Sequence, residues 1–81
     1  MSEKIDEMAT ICDILQMAIR REEASYHFYM QAYERAVLRV EKELFYRLAQ
    51  EELLHKQNLE RQLEEANCRT FTDRALSAGD I

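Results

Sequence analysis

The sequence predicts a small all-α protein, an antiparallel hairpin of two helices, and three observations lead to this fold class. The chain has 81 residues with no proline and one glycine, so it lacks the turn residues that several strands would need. Hydrophobic residues make up 47% of it, which is more than a disordered chain carries. Apolar residues recur every three or four positions, as on a helical face. Two helices bury little core, so we expect two copies to form a four-helix bundle.

The first helix is predicted from Ser2 or Glu3 to Ala36. Ser2 is suited to cap its N-terminus, and the acidic residues that follow favour the positive end of a helix. The apolar face is interrupted once, by Glu22. Its members are Ile5, Met8, Cys12, Leu15, Ile19, Tyr26, Tyr29, Tyr33 and Ala36.

The second helix is predicted from Val40 or Glu41 to Ala66, with an apolar face that includes Phe45, Leu48 and Leu59. The turn at residues 37–40 contains neither glycine nor proline, so the break in periodicity alone places it. Residues 1–66 are thus predicted to form the hairpin. Residues 67–81 are predicted to form a tail or a short helix from Asp73 to Ala78.

Composition excludes several classes of partner. The net charge of −5 argues against nucleic acid, because phosphate binding needs clustered positive charge. No stretch is apolar enough for a secretory signal or a membrane span, so we expect a cytoplasmic protein with no membrane partner.

Cys12 and Cys68 form no Cys-x-x-Cys pair, and we expect both to be reduced thiols rather than a disulfide.

Three ionisable residues lie on the otherwise apolar faces: Glu22 on the first helix, and Glu52 and His55 on the second. Residues three apart share a helical face, so Glu52 and His55 can point at one atom. In an antiparallel hairpin that turns near residue 38, Glu22 lies opposite their midpoint. A carboxylate on a core-facing stripe is costly without a partner. Each residue taken singly is more typical of a solvated or salt-bridged side chain, with Arg20, Arg21 or Arg47 as the partner. The combination of the three on two facing helices predicts a metal site.

The number of ligands predicts the assembly. Di-iron sites in helical bundles use one Glu from each of two helices and a Glu-x-x-His from each of two others. This chain carries one of each, and a two-fold dimer supplies Glu22, Glu52 and His55 twice. This oxygen-rich set with one imidazole per ion suits iron, with manganese as the alternative, better than structural zinc. We expect two metal ions per dimer.

Two segments resemble the helix motifs of rubrerythrin-like ferritins. AIRREEASYHFY at residues 18–29 resembles their first motif, with a ligand Glu and an aromatic-Tyr pair two turns later. LFYRLAQEELLH at residues 44–55 resembles their second motif, Phe-x-x-Leu-Ala-x-Glu-Glu-x-x-His. A single helix pair is similar to the two-helix encapsulated ferritins. The resemblance implies that Glu22, Glu52 and His55 are metal ligands. It also implies that Tyr29 lies behind them and supports a ligand carboxylate. Phe28 stands at a position that is aromatic in the family.

The same resemblance implies a ferroxidase. Encapsulated ferritins oxidise Fe(II) to Fe(III) with dioxygen or peroxide at a di-iron site between protomers, for iron storage or detoxification. They assemble from dimers inside encapsulin shells, so the implied partners are a second copy of the chain and an encapsulin. Three alternatives stay open. They are a non-catalytic helical-hairpin dimerisation module, a fragment of a longer rubrerythrin-like protein, and a histidine phosphotransfer domain using His55.

Overall fold

The fold is a hairpin of two antiparallel α-helices, as the sequence predicts. The computed structural model describes residue 5 and residues 7–68. Helix α1 spans Ile11–Arg35 and helix α2 spans Arg39–Glu65. At a rise of about 1.5 Å per residue, each helix is roughly 40 Å long. The predicted short helix from Asp73 to Ala78 lies outside the described residues.

Helix α1 begins later than the sequence pattern predicted. Its N-cap is Thr10, whose hydroxyl accepts a hydrogen bond from the backbone N–H of Asp13, while the Asp13 carboxylate accepts one from the N–H of Thr10. This reciprocal capping box satisfies two backbone donors that a helix start leaves without partners. The predicted start at Ser2 or Glu3 was therefore wrong. Ile5 and Met8, predicted for the apolar face, precede the helix and are exposed.

A lysine closes the turn between the helices. Ala36 and Leu38 adopt extended backbone conformations, so the chain reverses between them without glycine. The Lys42 ammonium then donates a 2.8 Å hydrogen bond to the carbonyl oxygen of Tyr33 and lies 4.6 Å from the centre of that ring. This bond satisfies a carbonyl in the last turn of α1, where no helical donor is left. The predicted turn at residues 37–40 was correct to within two residues.

The C-terminus of α2 bends back toward α1. Asn67 takes the left-handed conformation with φ of 59°, and the N–H of Cys68 donates to the carbonyl of Leu63. Together with the bond from Asn67 N–H to Glu64, this is a Schellman motif, in which asparagine replaces the usual glycine. The motif carries Cys68 across the open end of the hairpin.

There Cys68 forms a disulfide with Cys12, with the two Cα atoms 5.6 Å apart. The expectation of two reduced thiols was therefore wrong. The two cysteines are separated by 56 positions in sequence, and Cys68 lies several residues further from the turn than Cys12. The antiparallel hairpin brings the start of α1 near the end of α2, and the bend at Asn67 turns Cys68 toward Cys12.

The hairpin has almost no core of its own. Among the described residues, only Ala49 and Leu63 are buried. Ala49 is completely inaccessible, and its methyl group lets the two backbones approach closely. Several large apolar side chains stay exposed, including Phe28, Leu44 and Leu54. A hairpin with so little burial gains little from the hydrophobic effect, which makes the disulfide important for its stability.

Candidate metal centre

Glu22, Glu52 and His55 lie together at the middle of the hairpin. Each offers one ligand atom, and these atoms all lie within 4.8 Å of one another. The Nδ1 atom of His55 is 2.9 Å from the Oε1 atom of Glu52 and 3.7 Å from the Oε1 atom of Glu22. The structure thus brings together all three residues predicted as ligands. Their role as ligands stays a prediction.

The local fold explains this convergence. Glu52 and His55 are three residues apart on α2, so their side chains share one face. Glu22 reaches the same point from α1, at the level that the antiparallel register predicts. The two carboxylates are mostly covered, with side-chain exposures of 24% for Glu22 and 18% for Glu52. The His55 side chain is 57% exposed, so the cluster is open on the side of the imidazole.

The surroundings of Glu22 disfavour its ionised form. Burial raises the pKa of Glu22 above its ordinary value, and the hydrogen bond and negative charge of Glu52 raise it further. The neighbouring His55 lowers the pKa of Glu22, but by less. A group placed where its ionised form is penalised is typical of functional sites, and a divalent cation would remove the penalty.

A second pair crosses the hairpin directly beside the cluster. The Lys56 ammonium lies 3.1 Å from the Glu23 carboxylate on α1 and 3.8 Å from Glu60 on its own helix. The bond to Glu23 is the main reason that the pKa of Lys56 is raised. The sequence interpretation missed this pair. The signal was available, because Glu23 and Lys56 each follow a cluster residue and so lie on the same side of the contact between the antiparallel helices, about 3 Å apart along the helix axis.

The salt-bridge alternative for the acidic residues finds no support. In the described part of the chain, no ion pair joins Arg20, Arg21 or Arg47 to the cluster, and all three arginines are exposed. The two carboxylates therefore face each other and an imidazole. This arrangement is consistent with a metal site and inconsistent with a simple acid–arginine pair.

The two aromatic residues of α1 that the sequence assigned to the site, Phe28 and Tyr29, contact each other. Tyr29 lies two turns from Glu22 and makes an edge contact with Phe28, the ring centres 5.4 Å apart. Phe28 is 63% exposed, so in the single hairpin its ring does not cover the cluster. The predicted support of a ligand carboxylate by Tyr29 stays a prediction.

Comparison with known proteins places this helix pair in a family. The profile of the Rubrerythrin family matches residues 13–75, which is well over half of the chain and includes every cluster residue. The chain belongs to the rubrerythrin family. No curated protein and no solved structure matches it.

Membership of the rubrerythrin family and the cluster support each other. The matched segment contains both motifs, and the folded chain brings their acidic and histidine residues to one point where they could hold a metal ion. Together these findings indicate a di-iron ferritin-like protein. In the described residues, neither helix is long and apolar enough to cross a membrane.

Proposed function

We propose that the protein binds ferrous iron at Glu22, Glu52 and His55 and oxidises it to the ferric state, at a di-iron site that two copies of the chain complete. The observation that carries this proposal is the convergence of two carboxylates and an imidazole within 4.8 Å in a rubrerythrin-family hairpin. The biological purpose would be iron storage or detoxification. Loading into an encapsulin shell and a cytoplasmic location stay predictions of the sequence.

The chemistry of the donor set fits iron. Carboxylate oxygens with one imidazole are the ligands of di-iron carboxylate bundles, and manganese suits the same set. Thiolate ligands, which would favour zinc, are absent from the cluster. Because His55 presents Nδ1 to both carboxylates, the nitrogen that would bind the ion already faces the oxygen ligands.

Two features favour a second copy of the chain as the partner. One hairpin supplies two carboxylates and one imidazole, and a di-iron site of this class needs twice that number. His55 is also the most exposed member of the cluster, and Leu44, Leu48 and Leu59 share its face of α2 at helical spacing. A second hairpin on this face would cover apolar surface and complete the ligand set in one step.

The residues of this chain then have distinct tasks. Ferrous iron is the substrate. The two bound ions would together give two electrons, which with two protons from solvent would reduce dioxygen to hydrogen peroxide, or hydrogen peroxide to two molecules of water. Glu22 and Glu52 neutralise the charge of the ions, and carboxylates can follow the change from ferrous to ferric because they bind in one or two modes. His55 provides the neutral ligand. A docked second hairpin would exclude water from the open side beside His55.

Elemental analysis combined with mass-resolved oligomer size tests this proposal. The wild-type protein, loaded with Fe(II) without oxygen and then separated by size, should carry two irons per dimer. Admitting air should then oxidise the iron, which is followed by the absorbance of the ferric product. Both the bound iron and the oxidation should be lost in Glu52→Gln.

Glu51→Gln is the matched control, because Glu51 precedes Glu52, carries the same charge and is exposed outside the cluster. This variant should bind and oxidise iron like the wild type. A plain helical interaction module predicts a dimer that retains no iron. Equal iron content in Glu51→Gln and Glu52→Gln would refute the assigned site.

A further inference from the structure

We propose that Lys56 is a positioning residue for the metal centre: its ion pair with Glu23 holds α1 against α2 at the level where Glu22 faces His55. This inference rests on the proposed function. The pair connects neighbours of the cluster on both helices, since Glu23 follows Glu22 and Lys56 follows His55. It joins them by a 3.1 Å contact in which the lysine is 27% exposed and the glutamate 45% exposed.

In the absence of metal the cluster holds the two helices together only weakly. Its two carboxylates repel each other when both are ionised, and the contact from His55 to Glu22 is 3.7 Å long. The structure fixes the hairpin at both ends, by the bond from Lys42 to the Tyr33 carbonyl at the turn and by the disulfide at the open end. At the helical rise, the Lys56 contact lies about 15 to 20 Å from each of these.

Between these ends, and among the described residues, Glu23–Lys56 is the cross-helix ion pair made by side chains outside the cluster. A rotation of α1 about its axis that turns both Glu22 and Glu23 away from α2 would separate Glu22 from His55 and break the Glu23–Lys56 contact. Lys56 therefore resists the movement that would open the site. The weaker contact with Glu60 lies within α2 and gives no such restraint.

A different interpretation makes the opposite prediction. If Lys56 acts only through its charge, it repels a divalent ion, and replacing it with an acid should strengthen metal binding. If Lys56 positions α1, then Lys56→Glu weakens metal binding although it adds negative charge, because it repels Glu23. The charge-swapped double variant, Glu23→Lys with Lys56→Glu, restores the pair at unchanged net charge.

The experiment is a titration of the oxidised full-length chain with Co(II), in which the visible absorption of the bound ion reports affinity and geometry. We expect Lys56→Glu to bind Co(II) about two- to fivefold more weakly, the range for a partly exposed ion pair. Binding in the charge-swapped variant and in Lys56→Arg should return to the wild-type level. Glu60→Gln is the control and should bind as the wild type does.

Lys56→Glu that binds Co(II) as tightly as the wild type, or more tightly, overturns the proposal. If Lys56 had a purely structural role, Lys56→Glu would lower the melting temperature and leave the Co(II) affinity at 25 °C unchanged. The two measurements together therefore distinguish a structural role from a positioning role. If Lys56→Glu loses its helical circular dichroism, Lys56→Gln takes its place, with weaker binding expected and unchanged binding refuting. Failure of the proposed function is distinct, since the wild type itself would then bind no Co(II).

Discussion

Removal of the Cys12–Cys68 disulfide should destabilise the hairpin more than any single side-chain truncation, because little else holds its open end. The bond closes a loop across a sequence separation of 56 residues. In the chain-entropy description, a loop of this length restricts the unfolded chain enough to stabilise the fold by about 4 kcal/mol at 25 °C. For a domain of this size, each kcal/mol corresponds to roughly 4 to 8 °C in melting temperature. The expected loss is therefore roughly 15 to 30 °C.

The assay is thermal unfolding followed by far-ultraviolet circular dichroism. The oxidised wild type is compared with the wild type in dithiothreitol and with Cys12→Ser, Cys68→Ser and the double serine variant. Protein concentration is held constant, because the melting temperature of a dimer depends on it. The two single variants serve as mutual controls, since each breaks the same bond at a different cysteine. All reduced or substituted forms should melt together, well below the oxidised wild type.

One result would refute this reasoning. If the oxidised wild type and the double serine variant melt within about 3 °C of each other, the bond does not restrict the unfolded chain in the way that the loop length implies. The stability of the hairpin would then come from association. In that case the melting temperatures of all forms should rise together with protein concentration.

Three further results follow from the structure. Because the pKa of Glu22 is raised, the stability given by its protonated form is complete below about pH 4.5 and is lost as pH rises through the folded-state pKa. Glu22→Gln should therefore melt above the metal-free wild type at neutral pH, and the difference should vanish in a pH series carried below 4.5. Thr10→Ala removes the cap of α1 and should lower the free energy of unfolding by about 1 kcal/mol, as measured by denaturant titration. The hydrogen bonds with Thr10 lower the pKa of Asp13, so the stability that its carboxylate provides is present above pH 3.8 and is lost as the pH falls through the folded-state pKa. In the proposed dimer, Leu44→Glu places a charge on the face of α2 that it shares with His55, and it should yield monomers in size-exclusion chromatography. Leu54→Glu lies on another face of α2 and should leave the dimer intact. If both variants gave the same oligomeric state, the proposed contact through the His55 face would be refuted.

The sequence predicted the helices and the cluster because both depend on local periodicity and on one global parameter, the position of the turn. Once residue 38 is taken as the turn, the antiparallel register determines that Glu22 faces Glu52 and His55. The same register places Glu23 and Lys56 on one side of the helix contact, although not at one level, and it leaves Cys68 several residues further from the turn than Cys12. The disulfide therefore also needs the bend at Asn67, and it was missed because an expected cytoplasmic location favours reduced thiols.

The start of α1 could not be found from periodicity. The spacing of Ile5 and Met8 continues the apolar face, so the pattern favours a longer helix. The capping box of Thr10 and Asp13 decides the boundary, because it satisfies the first backbone donors of a helix that begins at Ile11. The Schellman motif at Asn67 was equally hidden, since asparagine is a weaker signal of the left-handed conformation than glycine.

The sparse core, together with the proposed di-iron site between two copies, predicts coupling between metal binding and association. If two hairpins meet at His55, the metal-free dimer brings four carboxylates close together, and their repulsion opposes the gain from covering Leu44 and its neighbours. An ion that binds the dimer but not the separate hairpin strengthens association, by about 2.7 kcal/mol when it is present at 100 times its dissociation constant. Because the proposed dimer holds two ions, its dissociation constant, measured by sedimentation over a dilution series, should fall about a hundredfold for each bound Co(II), or about ten-thousandfold in all. The same addition should leave association of Glu52→Gln unchanged. If Co(II) binds the wild type and its dimer dissociation constant stays the same, the site is complete within one hairpin and the second copy contributes no ligand.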